Sequence, residues 1–163
     1  MYGPATYTAT KKFIKEYGTG IANAVKGTGI FFSVAIGQKA FESGYGKKIP
    51  PGSNNFGGIK YNPNLKGVIG YVMGDTTEYV KGKLVKTKGK FSKFATVEDG
   101  IKGYVEVLKA PRYAKALQAT TPYQQLLEIA KASYSTNNPV VYADSIYPLV
   151  EAARDIAQLG KIS

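Results

Sequence analysis

FESGYGKK, residues Phe41–Lys48, followed across a short Pro-Pro-Gly spacer by SNNFGGIK, residues Ser53–Lys60, decides how this chain is read. The first stretch sets one carboxylate, Glu42, at the end of an apolar segment and against a run of small and amide residues. A carboxyl in that position is poorly hydrated and lies near the negative end of a helix dipole, and both effects favour its protonated form. A carboxylic acid kept neutral near pH 7 is the group that cleavage of a glycosidic bond uses to protonate the leaving oxygen. The competing reading of a single glutamate is a solvated helix end. Its neighbours Phe41, Ser43, Gly44 and Tyr45, and the loop expected to fold back over it, argue against that.

Working outward, Ile30–Glu42 carries apolar residues around much of its circumference and reads as a buried helix ended by Gly44 and Gly46. Upstream, residues 4–17 and 20–27 read as two short helices separated by Gly18 and Gly20, with Phe13, Ile14 and Tyr17 on one face of the first. Residues 47–65 are a loop rich in Pro, Gly and Asn. From Gly67 to Phe94 the pattern turns to strands around a Lys81-Gly82 turn, with Lys86, Lys88 and Lys90 sharing one face. Helices resume at Thr96, where Thr-Val-Glu-Asp resembles a capping box, and run to about Lys109. Thr121-Pro122 and Asn138-Pro139 start two more, the last ending before Gly160. These elements predict one α+β domain over residues 1–163, mostly helical, with a small antiparallel β-hairpin lobe at about 66–95 flanking a cleft.

The chain has no cysteine and no histidine. Disulfides, thiolate metal sites, the usual zinc sites and His-based nucleophile systems are therefore excluded, and acid or base work falls to Asp, Glu, Lys or Tyr. No carboxylate spacing suggests a metal site and no phosphate cradle is present, so no cofactor is expected. A net charge of +11 favours an anionic partner, and 13 tyrosines with 7 phenylalanines supply stacking surfaces for sugar rings. The stretch from Lys81 to Lys93, with six lysines and no acid, is explained largely as a solvated strand face, although it also attracts glycans that carry peptide carboxylates. No apolar run reaches membrane-span length and no export signal is visible at Met1–Tyr17.

AIGQKAFESGYG, residues Ala35–Gly46, with NNFGGIK, residues Asn54–Lys60, closely resembles glycoside hydrolase family 73, the peptidoglycan N-acetylglucosaminidases with a lysozyme-like fold. The family pattern reads A-x-A-x-x-E-S-G-W-G and then N-N-L-F-G-I-K. Tyr45 stands at the tryptophan and Phe56-Gly57 at the L-F pair. The resemblance implies that Glu42 is the catalytic acid and that Tyr45, Asn54, Asn55 and Phe56 belong to the substrate cleft. Through the β lobe it places Glu78 on the family's second carboxylate, with Asp75 the nearby competitor. Without the family, Glu78 is as well explained by a cross-strand ion pair. Near the end, Tyr134 matches the family's cleft tyrosine, and Tyr142 falls on the first turn of the last helix, where packing is its simpler role. An aspartate of the family is replaced by Asn137 or Asn138 with one extra residue.

The reading that results is a monomeric endo-β-N-acetylglucosaminidase acting on peptidoglycan glycan strands at the bacterial cell wall. Glu42 is the acid and Glu78 the base or charge stabiliser. Inverting, retaining and substrate-assisted routes all stay open. Delivery by a phage, by injection or by a removed signal would all fit. A muramidase or lytic transglycosylase is the near rival, but the Gly-Leu-Met-Gln stretch usual there is missing. A basic module binding wall polymer or nucleic acid is the rival from another class, and it has no need of a helix-end acid.

Overall fold

A computed structural model describes residues 1–132 and 138–162. The described residues form six helices and one two-stranded sheet: α1 (Pro4–Val25), α2 (Phe32–Glu42), β1 (Val68–Val80), β2 (Lys83–Phe94), α3 (Val97–Leu108), α4 (Ala114–Leu117), α5 (Pro122–Lys131) and α6 (Pro139–Ile162). A 3-10 turn at Pro111–Tyr113 leads into α4, and the periodicity announces neither.

α2 is the hub. All eight residues from Ser33 to Ala40 are buried, which a helix enclosed on every side requires. α6, α1 and α5 pack around it, and α3 packs on α1. Phe13, Ile21, Val34, Ile36, Ile101, Leu126, Ile129 and Ile146 belong to the single hydrophobic cluster they share.

Two boundaries differ from the sequence reading. α1 is one continuous helix where two were expected. Gly18 does not interrupt it, because the position is buried against Ile14 and Phe32 and tertiary packing outweighs glycine's low propensity. α6 likewise runs through Gly160 to Ile162. The expected caps hold: the Thr96 hydroxyl accepts from Asp99 N–H, the Thr121 hydroxyl from Gln124 N–H, and the Asn138 side chain from Val140 N–H.

β1 and β2 pair antiparallel across the Lys81-Gly82 turn. Both turn residues have positive φ, 52° and 79°, as a two-residue hairpin turn of type I′ demands. Lys86, Lys88 and Lys90 lie opposite Thr77, Asp75 and Met73, so the three lysines do share a face. The base of the ribbon is fastened to the helical body by backbone hydrogen bonds, and Lys60 Nζ reaches Thr76 Oγ1 at 2.6 Å farther along it. Phe94 N–H donates to Ser53 O, Ser92 N–H to Ile59 O and Tyr61 N–H to Lys90 O. The loop after α2 thereby acts as a fastening strip along β2.

Candidate active site

Glu42 is the last residue of α2, and the chain reverses at once. Ser43 Oγ donates back to Lys39 O and accepts from Gly46 N–H, and Tyr45 N–H donates to Ala40 O at 2.7 Å. Gly44, Tyr45 and Gly46 all have positive φ, at 55°, 59° and 88°. Glycine accepts that backbone freely and tyrosine does so at a cost, so the tight reversal explains the Gly-x-Gly spacing better than any ligand contact. It leaves the Glu42 carboxyl at the wall of a cleft of about 140 Å³, lined also by Ser43, Lys48, Asn55, Phe56, Asp75 and Phe91.

Among the described residues, two side chains hold that carboxyl. Tyr142 O–H donates to Oε1 at 2.6 Å, and Lys39 Nζ donates to Oε2 at 3.4 Å. Behind Tyr142 the contacts continue inward. Gln38 Nε2 donates to Tyr142 Oη at 2.9 Å, and Tyr104 O–H donates to Gln38 Oε1. Every donor in this chain points toward Glu42, so each bond polarises the next. Gln38, Lys39 and Tyr104 are fully or almost fully buried. Burial pushes the Tyr142 phenol up, with the Glu42 charge adding to it, so the phenol keeps its proton and stays a donor. Burial pushes the Lys39 ammonium down from its ordinary value while Glu42 pulls it back up.

The remaining predicted residues are placed unevenly. Asn55 and Phe56 line the Glu42 cleft, but from buried positions. Asn55 Nδ2 donates to Ile59 O and Ser92 O and its Oδ1 accepts from Ile59 N–H, so its amide frames the loop. The Phe56 ring sits 4.9 Å from that of Tyr17 and 6.4 Å from that of Phe13. Asn54, at φ 53°, ties the loop to β2 by donating to Phe94 O at 2.9 Å. Tyr45 lines a neighbouring hollow with Lys12, Glu16 and Tyr17 instead of the Glu42 cleft. Asp75 lines the cleft and is bound by Lys88 at 2.5 Å, which draws its carboxyl below the ordinary range. Glu78 stands farther along the ribbon, exposed, with Lys60 Nζ at 4.0 Å. Tyr134 lies outside the described residues.

Lys39, Gln38 and Tyr104 are what sequence reading missed. The available signal was two polar residues, three and four positions before Glu42, inside an otherwise apolar helix; that spacing puts them on the acid's own face. Among the described residues no group of three Asp or Glu side chains could hold a metal ion. No helix there is long and apolar enough to cross a membrane.

A helical lobe and a β ribbon flanking a cleft, with a carboxyl at a helix end between them, define a lysozyme-like domain. The chain belongs to the glucosaminidase family, described as mannosyl-glycoprotein endo-beta-N-acetylglucosaminidase, which matches residues 18–155. Among its relatives is the peptidoglycan hydrolase FlgJ of Escherichia coli (strain K12), 27% identical over 154 residues, which are 91% of this chain and 48% of the relative. The chain thus spans about half the length of that relative. Of solved structures, a peptidoglycan hydrolase mutant from Sphingomonas sp. A1 superposes with a TM-score of 0.75 at 25% identity, covering 88% of this chain and 96% of that one. A C-terminally truncated glycoside hydrolase domain of Salmonella typhimurium FlgJ gives 0.69 at 26% identity, covering 90% and 98%.

Proposed function

We propose that this chain hydrolyses the β-1,4 bond between N-acetylglucosamine and N-acetylmuramic acid in bacterial peptidoglycan, with Glu42 as general acid. The observation that carries the reading is the Glu42 carboxyl at the cleft wall, gripped on one oxygen by Tyr142 and on the other by Lys39. A fixed carboxyl facing a groove beside aromatic side chains is suited to giving a proton to a glycosidic oxygen. The peptidoglycan hydrolases among the relatives and solved structures support the same substrate. The site of action follows from it: the cell wall. Tyr134 and Tyr45 are proposed as substrate contacts on the family pattern. Mass spectrometry of digested peptidoglycan tests the reading. N-acetylglucosamine reducing ends are expected; muramic or anhydromuramic ends would sink it.

The second carboxylate is Glu78 by family pattern, whereas Asp75 is the one that lines the cleft with Glu42. The exposed ribbon carrying both is held by backbone bonds at its base and farther along by the Lys60 side chain, so its tip closing over a glycan would carry Glu78 inward. Glu78→Gln is therefore expected to lower kcat by about 10²-fold, and Asp75→Asn by less than about tenfold. Reducing-end release by the two variants measures this, and the reverse order would transfer the role to Asp75.

A further inference from the structure

Among the described residues Lys39 is the one buried charged side chain, and the reaction as proposed so far gives it no chemistry. An ammonium taken wholly out of water is costly unless it is paired. Its Nζ lies 3.4 Å from Glu42 Oε2 and 3.7 Å from the centroid of the Tyr104 ring. Among the described residues, the titratable groups around it include Glu42 on its own helix, Tyr104 from α3, Tyr142 from α6 acting through Glu42, and Tyr113 beside Tyr104. Burial pushes the Lys39 ammonium down and the neighbouring Glu42 carboxyl pulls it back up.

We propose that Lys39 is a positioning residue that loads the proton onto Glu42: as a sugar ring fills the cleft, the proton on Nζ passes to Oε2, and from there to the departing glycosidic oxygen. The inference rests on the hydrolase reading above. Three observations support it. Oε1 is already an acceptor, because the whole Tyr104–Gln38–Tyr142 chain donates toward it, so the exchangeable proton of the acid belongs on Oε2. Oε2 is the oxygen that faces Nζ. The ion pair and the neutral amine–acid pair hold the same number of protons, and expelling water from the cleft favours the uncharged form.

The steps balance. The Nζ–H bond breaks and an Oε2–H bond forms, converting ammonium and carboxylate into amine and carboxylic acid. Oε2 then gives that proton to the glycosidic oxygen as its bond to the anomeric carbon breaks, the bonding pair staying on oxygen. Glu42 is left as carboxylate, and one proton from solvent restores the ammonium once product departs.

The test is Lys39→Met, which keeps the side chain's length and removes the amine. Reducing-end release is followed from about pH 4 to about pH 10, at saturating and limiting wall glycan. At neutral pH kcat is expected to fall by about tenfold or more with KM unchanged. The alkaline limb of the kcat profile is expected to move to lower pH, because the acid must now collect its proton from solvent. A limb that moves to higher pH makes Lys39 only a fixed positive charge beside Glu42 and overturns the proposal. An unmoved limb makes it a packing residue and also overturns it.

Should Lys39→Met fail to fold, 15N spectra of the lysine side chains in the unaltered protein decide. Saturation with an N-acetylglucosamine oligosaccharide at neutral pH is expected to move the Lys39 Nζ signal from the ammonium to the amine range, and a signal that stays put overturns the proposal. Failure of the unaltered protein both to cleave wall glycan and to bind the oligosaccharide is a different result, and it removes the hydrolase reading itself.

Discussion

If Glu42 is the general acid proposed above, Glu42→Gln is expected to lower the rate of wall-glycan cleavage by about 10²–10⁴-fold with little change in KM, because glutamine keeps the shape of the acid and has no proton to give. Reducing-end release at saturating substrate measures it, and an active variant would reassign the acid. The same substitution carries a stability signature. Burial holds the Lys39 ammonium below its ordinary value, and Glu42 is the influence that opposes this. On unfolding, Lys39 returns to about 10.4. Between the two values the unfolded chain binds more protons than the folded one, so stability rises with pH across that window. Removing Glu42 lowers the folded value further and extends the window toward neutrality. Glu42→Gln is therefore expected to cost about 3 kcal/mol at pH 7. The deficit shrinks as pH is raised toward the ordinary lysine range, and urea unfolding at several pH values reads it. A deficit that grows with pH would contradict the pairing.

Gly100→Ala is the second large effect, expected to destabilise the fold by about 3 kcal/mol. Gly100 lies in the first turn of α3, and a Cβ there would sit 1.8 Å from the Asn54 carbonyl oxygen. A flexible side chain could swing away from such a contact. Asn54 is backbone in a left-handed conformation, pinned to β2 through Phe94 O, with Ser53 and Asn55 fastened on either side. Relief would require the loop beneath the cleft to shift as a unit, so activity should fall along with stability. Gly20→Ala is the control. Its added methyl meets only the tip of Ile101, at 3.9 Å, in the interior of α1, so a gain of about 0.5–1 kcal/mol is expected. Urea midpoints for the two variants provide the comparison.

Local patterns carried most of the architecture. The apolar circumference of Ile30–Glu42 marked α2 as the buried hub, and the Lys81-Gly82 turn fixed the ribbon's register, because both signals are written in adjacent residues. α1 was misjudged at Gly18, whose burial against Phe32 no local pattern reveals, and α6 at Gly160, an exposed position through which the helix runs on to Ile162. The placement of the Glu42 carboxyl at a helix end beside a cleft was legible from Glu-Ser-Gly. Its distant partners were not, since Tyr142 lies 100 residues away and Tyr104 comes from α3 to meet Gln38 and Lys39. The surroundings read for Glu42, small and amide residues only, thus omitted the ammonium and the phenol that grip it. Asn55 and Phe56 were legible as cleft residues, while their framing contacts emerge only once β2 and α1 are in place.

The polarity of the buried relay is held at both ends. Glu42 Oε1 accepts the Tyr142 hydrogen, and Tyr104 offers its own hydrogen to the Gln38 oxygen, which fixes which way round the amide stands. Deleting the Tyr104 hydroxyl would leave that buried amide oxygen without its donor and weaken the bonds downstream of it. The electrical environment of the cleft thus depends in part on an atom at the opposite end of the relay, one that no sugar can touch.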